Sequence, residues 1–192
     1  MNRSTRTRSE IQPDRRRPSE VARHVVLPAD IRTTGWPRVE AQARACGIEY
    51  DGWQRQLGRC ILGKTSDGVY AAGIGGVVVS ICRQVGKTFL IGTMIVMLCI
   101  LNEYPLKVLW TAHRTRTSDE TFKFMCALVR RKAISRFVDG EPRRANGQQE
   151  IVFVNSSRIM FGARENGFGR GFDSVDRSEE HTSELQSQRD SS

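Results

Sequence analysis

A Gly86-Lys87-Thr88 tripeptide stands between two apolar stretches, and this arrangement restricts the fold more than any other feature of the chain. The stretch before it, VVVSI at residues 77–81, is β-branched without polar alternation, which predicts a strand buried on both faces. The stretch after it, TFLIGTMIVMLCIL at residues 88–101, is apolar on all sides, which predicts a buried helix. A buried strand, a turn and a buried helix in succession favour an α/β protein with a parallel sheet.

The remaining patterns predict further elements of the same class. They are a short helix over residues 37–47 closed by Gly47, a helix carrying Trp53, Leu57, Ile61 and Leu62, a buried strand over residues 106–112, a helix that follows a capping box at Thr117–Glu120, and a β-hairpin formed by residues 151–154 and 158–163.

Charge and cysteine content narrow the range of partners and compartments. The chain has 30 Lys and Arg against 21 Asp and Glu, a net charge of +9, which suits a nucleic-acid partner or, equally, a solvated basic surface. Five scattered cysteines without a C-x-x-C pair argue against a disulfide framework or a zinc site and favour a reducing cytosol. The longest apolar run, residues 89–101, is too short to span a bilayer.

The Gly86-Lys87-Thr88 tripeptide predicts a phosphate-binding loop. In such a loop the backbone N–H groups, here those of Gln84, Val85 and Gly86, surround the phosphates. The Lys87 ammonium reaches the β- and γ-phosphates, and the Thr88 hydroxyl binds Mg²⁺. The usual opening glycine is missing, since Ile81 stands in its place.

Two further features bear on this loop. Arg83 lies inside it, where it either brings a cation to the nucleotide or forms a salt bridge from the loop to the core. A second tripeptide of the same sequence, Gly63-Lys64-Thr65, follows a helical pattern rather than a strand and is set aside.

Four motifs in order resemble the large terminase subunit of tailed double-stranded DNA phages, in particular phages of actinobacteria. They are WQRQLGRCILGK, ISICRQVGKTFLIG, VLWTAHRTRTSDETFK and RIMFGARENGFGRGFDSVD, which lie within residues 48–176. The resemblance implies a P-loop ATPase of the additional-strand, catalytic-glutamate class that uses ATP and Mg²⁺ to move double-stranded DNA into the procapsid. It also implies a portal protein and a small terminase subunit as partners, a homo-oligomeric ring, a C-terminal nuclease domain, and the cytoplasm of a bacterial host.

The resemblance also assigns roles to single residues. Lys87 and Thr88 take the phosphate and Mg²⁺ roles, and Arg83 matches the loop arginine implicated in hydrolysis. Gln54 beside Trp53 resembles an adenine-reading glutamine, although a core tryptophan with a surface glutamine explains this pair almost as well.

The DNA-contacting candidates are arginines at predicted strand ends. Arg114 and Arg116 follow the strand at residues 106–112, and the carboxyl ends of strands form the active edge of open α/β sheets. Arg164 and Arg170 lie in a glycine-rich loop. We interpret Arg114 and Arg116 as phosphate contacts or solvated charges, and Arg164 and Arg170 as residues that contact DNA or sense the nucleotide.

The chain divides by composition into three parts. Residues 1–35 form a basic, mostly disordered arm, and residues 36–176 form a partial P-loop ATPase domain. Residues 177–192 begin with RSEEHTSELQS, which resembles a translated sequencing adapter, so this tail is artefactual or disordered.

The Asp-Glu strand of the resembled family belongs directly after Asp176 and is missing there. We therefore expect this chain to hydrolyse no ATP and to cleave no DNA. Two other functions fit the sequence: a superfamily 2 helicase-like DNA-dependent ATPase, and a non-enzymatic basic DNA-binding module in which the loop is incidental.

Overall fold

The computed structural model describes residues 22, 24–73, 75–82, 84–145, 149–164 and 177–181. Their fold is mixed α/β, as predicted, with one small mixed sheet and one two-stranded sheet. Contacts group the chain into two compact units, and the predicted domain over residues 36–176 stays a prediction. The first comprises residues 1–40 and 49–79, and the second comprises residues 41–48 and 80–192.

The first unit is built around a buried tryptophan. Strand β1 (Thr33–Thr34) pairs antiparallel with β2 (Gly63–Lys64), and helix α2 (Gly52–Ile61) forms at the predicted place. Helix α1 (Trp36–Ala45) also forms where it is predicted; its residues 36–40 belong to this unit and its residues 41–45 to the second. The Trp36 ring is fully buried, with the Tyr50 ring centroid at 5.0 Å. Gly58 of α2 packs directly under Trp36, where a larger residue has no room.

The second unit contains a four-stranded sheet in the order β4-β5-β3-β6. Its strands are β3 (Lys107–Ala112), β4 (Gln149–Val152), β5 (Arg158–Ala163) and β6 (Arg177–His181). Strand β3 runs parallel to both β5 and β6, whereas β4 and β5 form the predicted antiparallel hairpin. The sheet is therefore mixed rather than wholly parallel.

Three helices accompany this sheet: α3 (Lys87–Leu101), α4 (Thr115–Val129) and the short α5 (Lys132–Ser135). As predicted, α3 is buried almost throughout, from Leu90 to Cys99. Helix α4 covers the sheet, with the Phe122 ring edge-on to Phe161 at 5.1 Å.

The C-terminal end of α3 is tied to the β4–β5 turn. The Asn155 side-chain amide donates to the carbonyls of Cys99 at 2.8 Å and Asn102 at 2.9 Å. Carbonyls at the C-terminal end of a helix lack N–H partners within the helix, and the Asn155 amide supplies such partners here. Because β5 begins just after this turn, the N-terminal end of α3 points away from the amino ends of β3 and β5.

The predicted strand at residues 77–81 is wrong. Residues 76–82 form no regular structure, and the Val78 side chain is 91% exposed. Valine favours a strand only where a neighbouring strand supplies hydrogen bonds and packing. No strand within the described ranges pairs with this segment, and the boundary between the two units falls inside it.

Two other predictions differ from the structure in part. Helix α4 begins at Thr115 with Arg114 as N-cap, not after Thr117, because the Ser118 N–H already bonds to the Arg114 carbonyl at 3.2 Å. Residues 177–181 form strand β6 rather than a disordered tail, while residues 182–192 and most of the basic arm lie outside the described residues. The adapter-like origin of the tail stays a prediction.

Candidate phosphate site

A left-handed turn precedes helix α3. Gln84 has φ 61°, and Gly86, the N-cap residue, has φ 93° and ψ 19°. This region of backbone space is open to glycine at little cost and is costly for most other residues. The turn breaks both strand and helix geometry, so the backbone changes direction immediately before Lys87.

The first residues of α3 are the ones that the sequence singled out. The Leu90 N–H donates to the Gly86 carbonyl at 3.0 Å, which makes Lys87 and Thr88 the first two helical residues. Their backbone N–H groups belong to the first turn of the helix, which directs its amides outward along the axis. The positive end of the helix dipole lies at the same place, so this end of a 15-residue helix attracts anions.

The side chains of the loop are accessible from solvent. Val85 is 42% exposed, Gln84 is exposed, and Lys87 and Thr88 are half-buried. Arg83, the predicted catalytic arginine of the loop, lies outside the described residues. The structure thus brings Gln84, Val85, Gly86, Lys87 and Thr88 together as one turn at a helix N-terminus.

The predicted adenine-binding pair belongs to the first unit, whereas the loop belongs to the second. Gln54 is only 4% exposed, and its Oε1 accepts the Asp51 backbone N–H at 2.9 Å. The two residues form a capping box at the start of α2, with Asp51 as N-cap and Gln54 three positions later. Gln54 is therefore not a surface residue, and the described contact of its oxygen is structural; Trp53, beside it, is half-buried.

The DNA-contacting candidates meet in part at one edge of the sheet. The parallel register pairs Ala112 of β3 with Ala163 of β5, so the residues after both strands leave the sheet at the same carboxyl edge. Arg114 is exposed there as the N-cap of α4, and Arg164 is half-buried one residue after β5. Arg116 is exposed in the first turn of α4, and Arg170 lies outside the described residues.

The sequence reasoning missed a cavity of about 420 Å³ in the second unit. It lies along α4, and its cationic lining comes from Lys123, Arg130 and Arg144. The sequence contains one indication of this cavity. Residues 119, 123, 126 and 130 lie three or four positions apart, so they share one face of a helix.

The described part of the chain shows neither a cluster of metal ligands nor a membrane-spanning helix. Among those residues, no group of three or more His, Cys, Asp or Glu side chains is arranged to hold a metal ion. No helix in the same ranges combines the length and the apolar character needed to cross a membrane.

Comparisons of this chain with protein-family models, with curated proteins and with solved structures found no match.

Proposed function

We propose that the turn at residues 84–88 binds the phosphates of ATP, and that the chain is the ATP-binding part of a DNA-packaging motor of the large terminase type. The observation that carries the proposal is the left-handed Gly86 placed directly before a long buried helix that begins with Lys87 and Thr88. This arrangement aims backbone amides, a helix dipole and a lysine ammonium at one anion.

Each residue of the turn has a distinct part in this proposal. The backbone N–H groups of the turn and of Lys87 hold the phosphate oxygens, and Gly86 lets the backbone come close because it has no side chain. The Lys87 ammonium compensates the charge of the outer phosphates. In this proposal the hydroxyl of the half-buried Thr88 would contribute one ligand to Mg²⁺, and phosphate oxygens and water would supply the others. Bound Mg²⁺ supplies charge neutralisation on the phosphates.

Double-stranded DNA is the polyanionic partner in this proposal, with the sheet edge that carries Arg114 and Arg164 as its contact surface. The portal protein, the small subunit and the homo-oligomeric ring belong to the same proposal. They rest on the four sequence motifs alone.

The test is a pair of lysine variants, since the chain contains the same tripeptide twice. We expect Lys87→Ala to weaken the binding of Mg²⁺-ATP at least tenfold in isothermal titration calorimetry, because one charge-assisted contact contributes roughly 1.5–3 kcal/mol. Lys64→Ala is the matched control, since its ammonium lies over the Tyr70 ring at 4.9 Å from the ring centroid. Equal affinity of the two variants for ATP contradicts the proposal.

One observation favours the second candidate, a non-enzymatic basic DNA-binding module. The residues before the turn, 76–82, form no strand and are exposed except for the half-buried Val79 and Ile81, whereas a phosphate loop ordinarily follows a buried strand. In that case the wild-type chain binds DNA but gives no calorimetric signal with Mg²⁺-ATP.

A further inference from the structure

A cleft of about 420 Å³ lies along one face of α4. The helix contributes Asp119, Phe122, Lys123, Cys126, Ala127 and Arg130, which extend over three turns, or roughly 16 Å at 1.5 Å per residue. Arg144, and Gln149 at the start of β4, form the opposite wall. The volume falls within the range of small-molecule sites, about 300–1,000 Å³.

The two ends of the cleft differ in charge. At the N-terminal end of the helix, the Gln149 amide donates to the Asp119 carboxylate at 2.9 Å. Lys123, further along the same face, lies 3.7 Å from Glu120. These groups balance one another, so this end carries no surplus positive charge.

The other end of the cleft carries two guanidinium groups against one carboxylate. Arg130 donates to Glu141 at 2.7 Å, and both side chains are largely exposed. Such an exposed pair is weak enough for an incoming anion to compete with it. Arg144 brings the second guanidinium, which also contributes to lowering the pKa of the Glu141 carboxyl, after the dominant hydrogen bond and charge of Arg130.

Cys126 lines the same cleft as the two arginines, Arg130 and Arg144. Burial raises the pKa of the Cys126 thiol, while the charges of Arg144 and Arg130 oppose that rise and the charge of Glu141 adds to it. Two guanidinium groups that line one cleft can each offer a planar fork of N–H donors to the oxygens of a bound phosphate.

The floor beside this point is apolar. Phe122 and Cys126 are each 4% exposed, and Phe122 is held from below by its edge-on contact with Phe161. The exposed Ala127 completes the floor with a single methyl group, which leaves room above it. An apolar ligand body placed here removes its own apolar surface and the exposed Ala127 methyl group from water.

We propose that this cleft binds a small organic phosphate, with its phosphoryl group between Arg130 and Arg144 and its apolar part over Phe122, Cys126 and Ala127. The phosphate monoester is either a free metabolite or the 5′-phosphate at a nucleic-acid end. The site is separate from the turn at residues 84–88, so the proposal does not depend on ATP binding there.

The probe is phenyl phosphate, titrated into the full chain by calorimetry at physiological salt. We expect Arg144→Ala to weaken its binding at least tenfold. The neighbouring Arg143→Ala is the matched control, since it removes the same charge from an exposed residue that does not line the cleft, and we expect a change of less than twofold. Lys87→Ala leaves phenyl phosphate binding unchanged, which separates this site from the proposed ATP site.

A second variant tests the apolar floor. Ala127→Leu fills the space over the floor, so we expect it to weaken phenyl phosphate at least fivefold and to change the affinity for inorganic phosphate by less than twofold. Ala127 is exposed on α4, so leucine there does not disturb the core.

An oligonucleotide comparison identifies the source of the phosphate. Tighter binding of a 5′-phosphorylated oligonucleotide than of its unphosphorylated form, abolished by Arg144→Ala, supports the proposal with nucleic-acid ends as the source. Equal binding of both oligonucleotides, with phenyl phosphate still bound, supports it with a free ester as the source. The proposal is overturned if phenyl phosphate does not bind at millimolar concentration, or if Arg143→Ala and Arg144→Ala weaken it equally.

Discussion

The Gln54 side chain can be interpreted either as an adenine reader or as part of a helix cap. A glutamine beside a tryptophan resembles an adenine reader, yet its oxygen accepts the Asp51 N–H at the start of α2 and the residue is buried. Reading adenine requires both the oxygen and the nitrogen of the amide. The described contact therefore supports a capping role, and the adenine contact stays a prediction.

We expect Gln54→Ala to lower the free energy of unfolding by about 1 kcal/mol, the usual contribution of a helix N-terminal capping interaction. Urea unfolding followed by circular dichroism measures the loss. Gln56→Ala is the control, a half-buried glutamine of the same helix outside the capping box. If Gln54→Ala leaves stability unchanged but removes the preference for ATP over GTP, the adenine-reading interpretation is the correct one.

Two helical glycines, Gly58 and Gly92, lie close to side chains that differ in how easily they can move. A Cβ atom at Gly58 of α2 would lie 2.2 Å from the rigid, fully buried Trp36 ring. A Cβ atom at Gly92 of α3 would meet the Met125 sulfur at 2.8 Å, and methionine can change rotamer. The first contact blocks substitution, whereas the second has a route to relax.

We expect Gly58→Ala to destabilise its unit by about 2 kcal/mol, because overpacking outweighs the roughly 0.5–1 kcal/mol that alanine gains over glycine within a helix. Gly92→Ala should stay within about 1 kcal/mol of the wild type, since the same helical gain offsets a milder contact. Thermal and urea unfolding of both variants measures the difference. Equal destabilisation would show that Trp36 moves as easily as Met125.

For the whole molecule, net charge and strand register together place the DNA-contact candidates. A net charge of +9 favours a polyanionic partner without saying where it binds. The parallel pairing of β3 with β5 brings Arg114 and Arg164 to the carboxyl edge, while Lys107 lies at the amino end of β3. Arg114, which follows the carboxyl end of β3, is therefore the test residue, and Lys107, at the amino end of β3, is the control.

We expect Arg114→Ala to reduce the steepness of the salt dependence of double-stranded DNA binding by about one unit, since each phosphate contact contributes about 0.9 to the slope of log K against log salt. Lys107→Ala should leave that slope unchanged. Fluorescence anisotropy over a series of salt concentrations gives both slopes. A smaller slope for Lys107→Ala than for Arg114→Ala would place the DNA on the opposite edge.

Local patterns were sufficient for most elements and insufficient for features that depend on contacts between segments. The all-apolar run at residues 88–101 and the β-branched run at 106–112 became α3 and β3, because their burial follows from composition within one element. The capping pattern at Thr117 did not begin α4, since backbone bonds from Arg114 start the helix one turn earlier. Gln54 and the cleft along α4 depend on contacts with other segments, which no window of sequence contains.

By itself, the sequence determined the α/β class, the main helices, the hairpin and the glycine turn before α3, since all of these depend on residues close together in the chain. Only the tertiary structure decided that residues 77–81 stay outside the sheet, that the sheet is mixed, and that Arg130 and Arg144 line one cleft with Cys126. The physical reason is that a strand or a pocket needs partners from distant segments. The free energy of those pairings is not encoded in the local propensity of either partner.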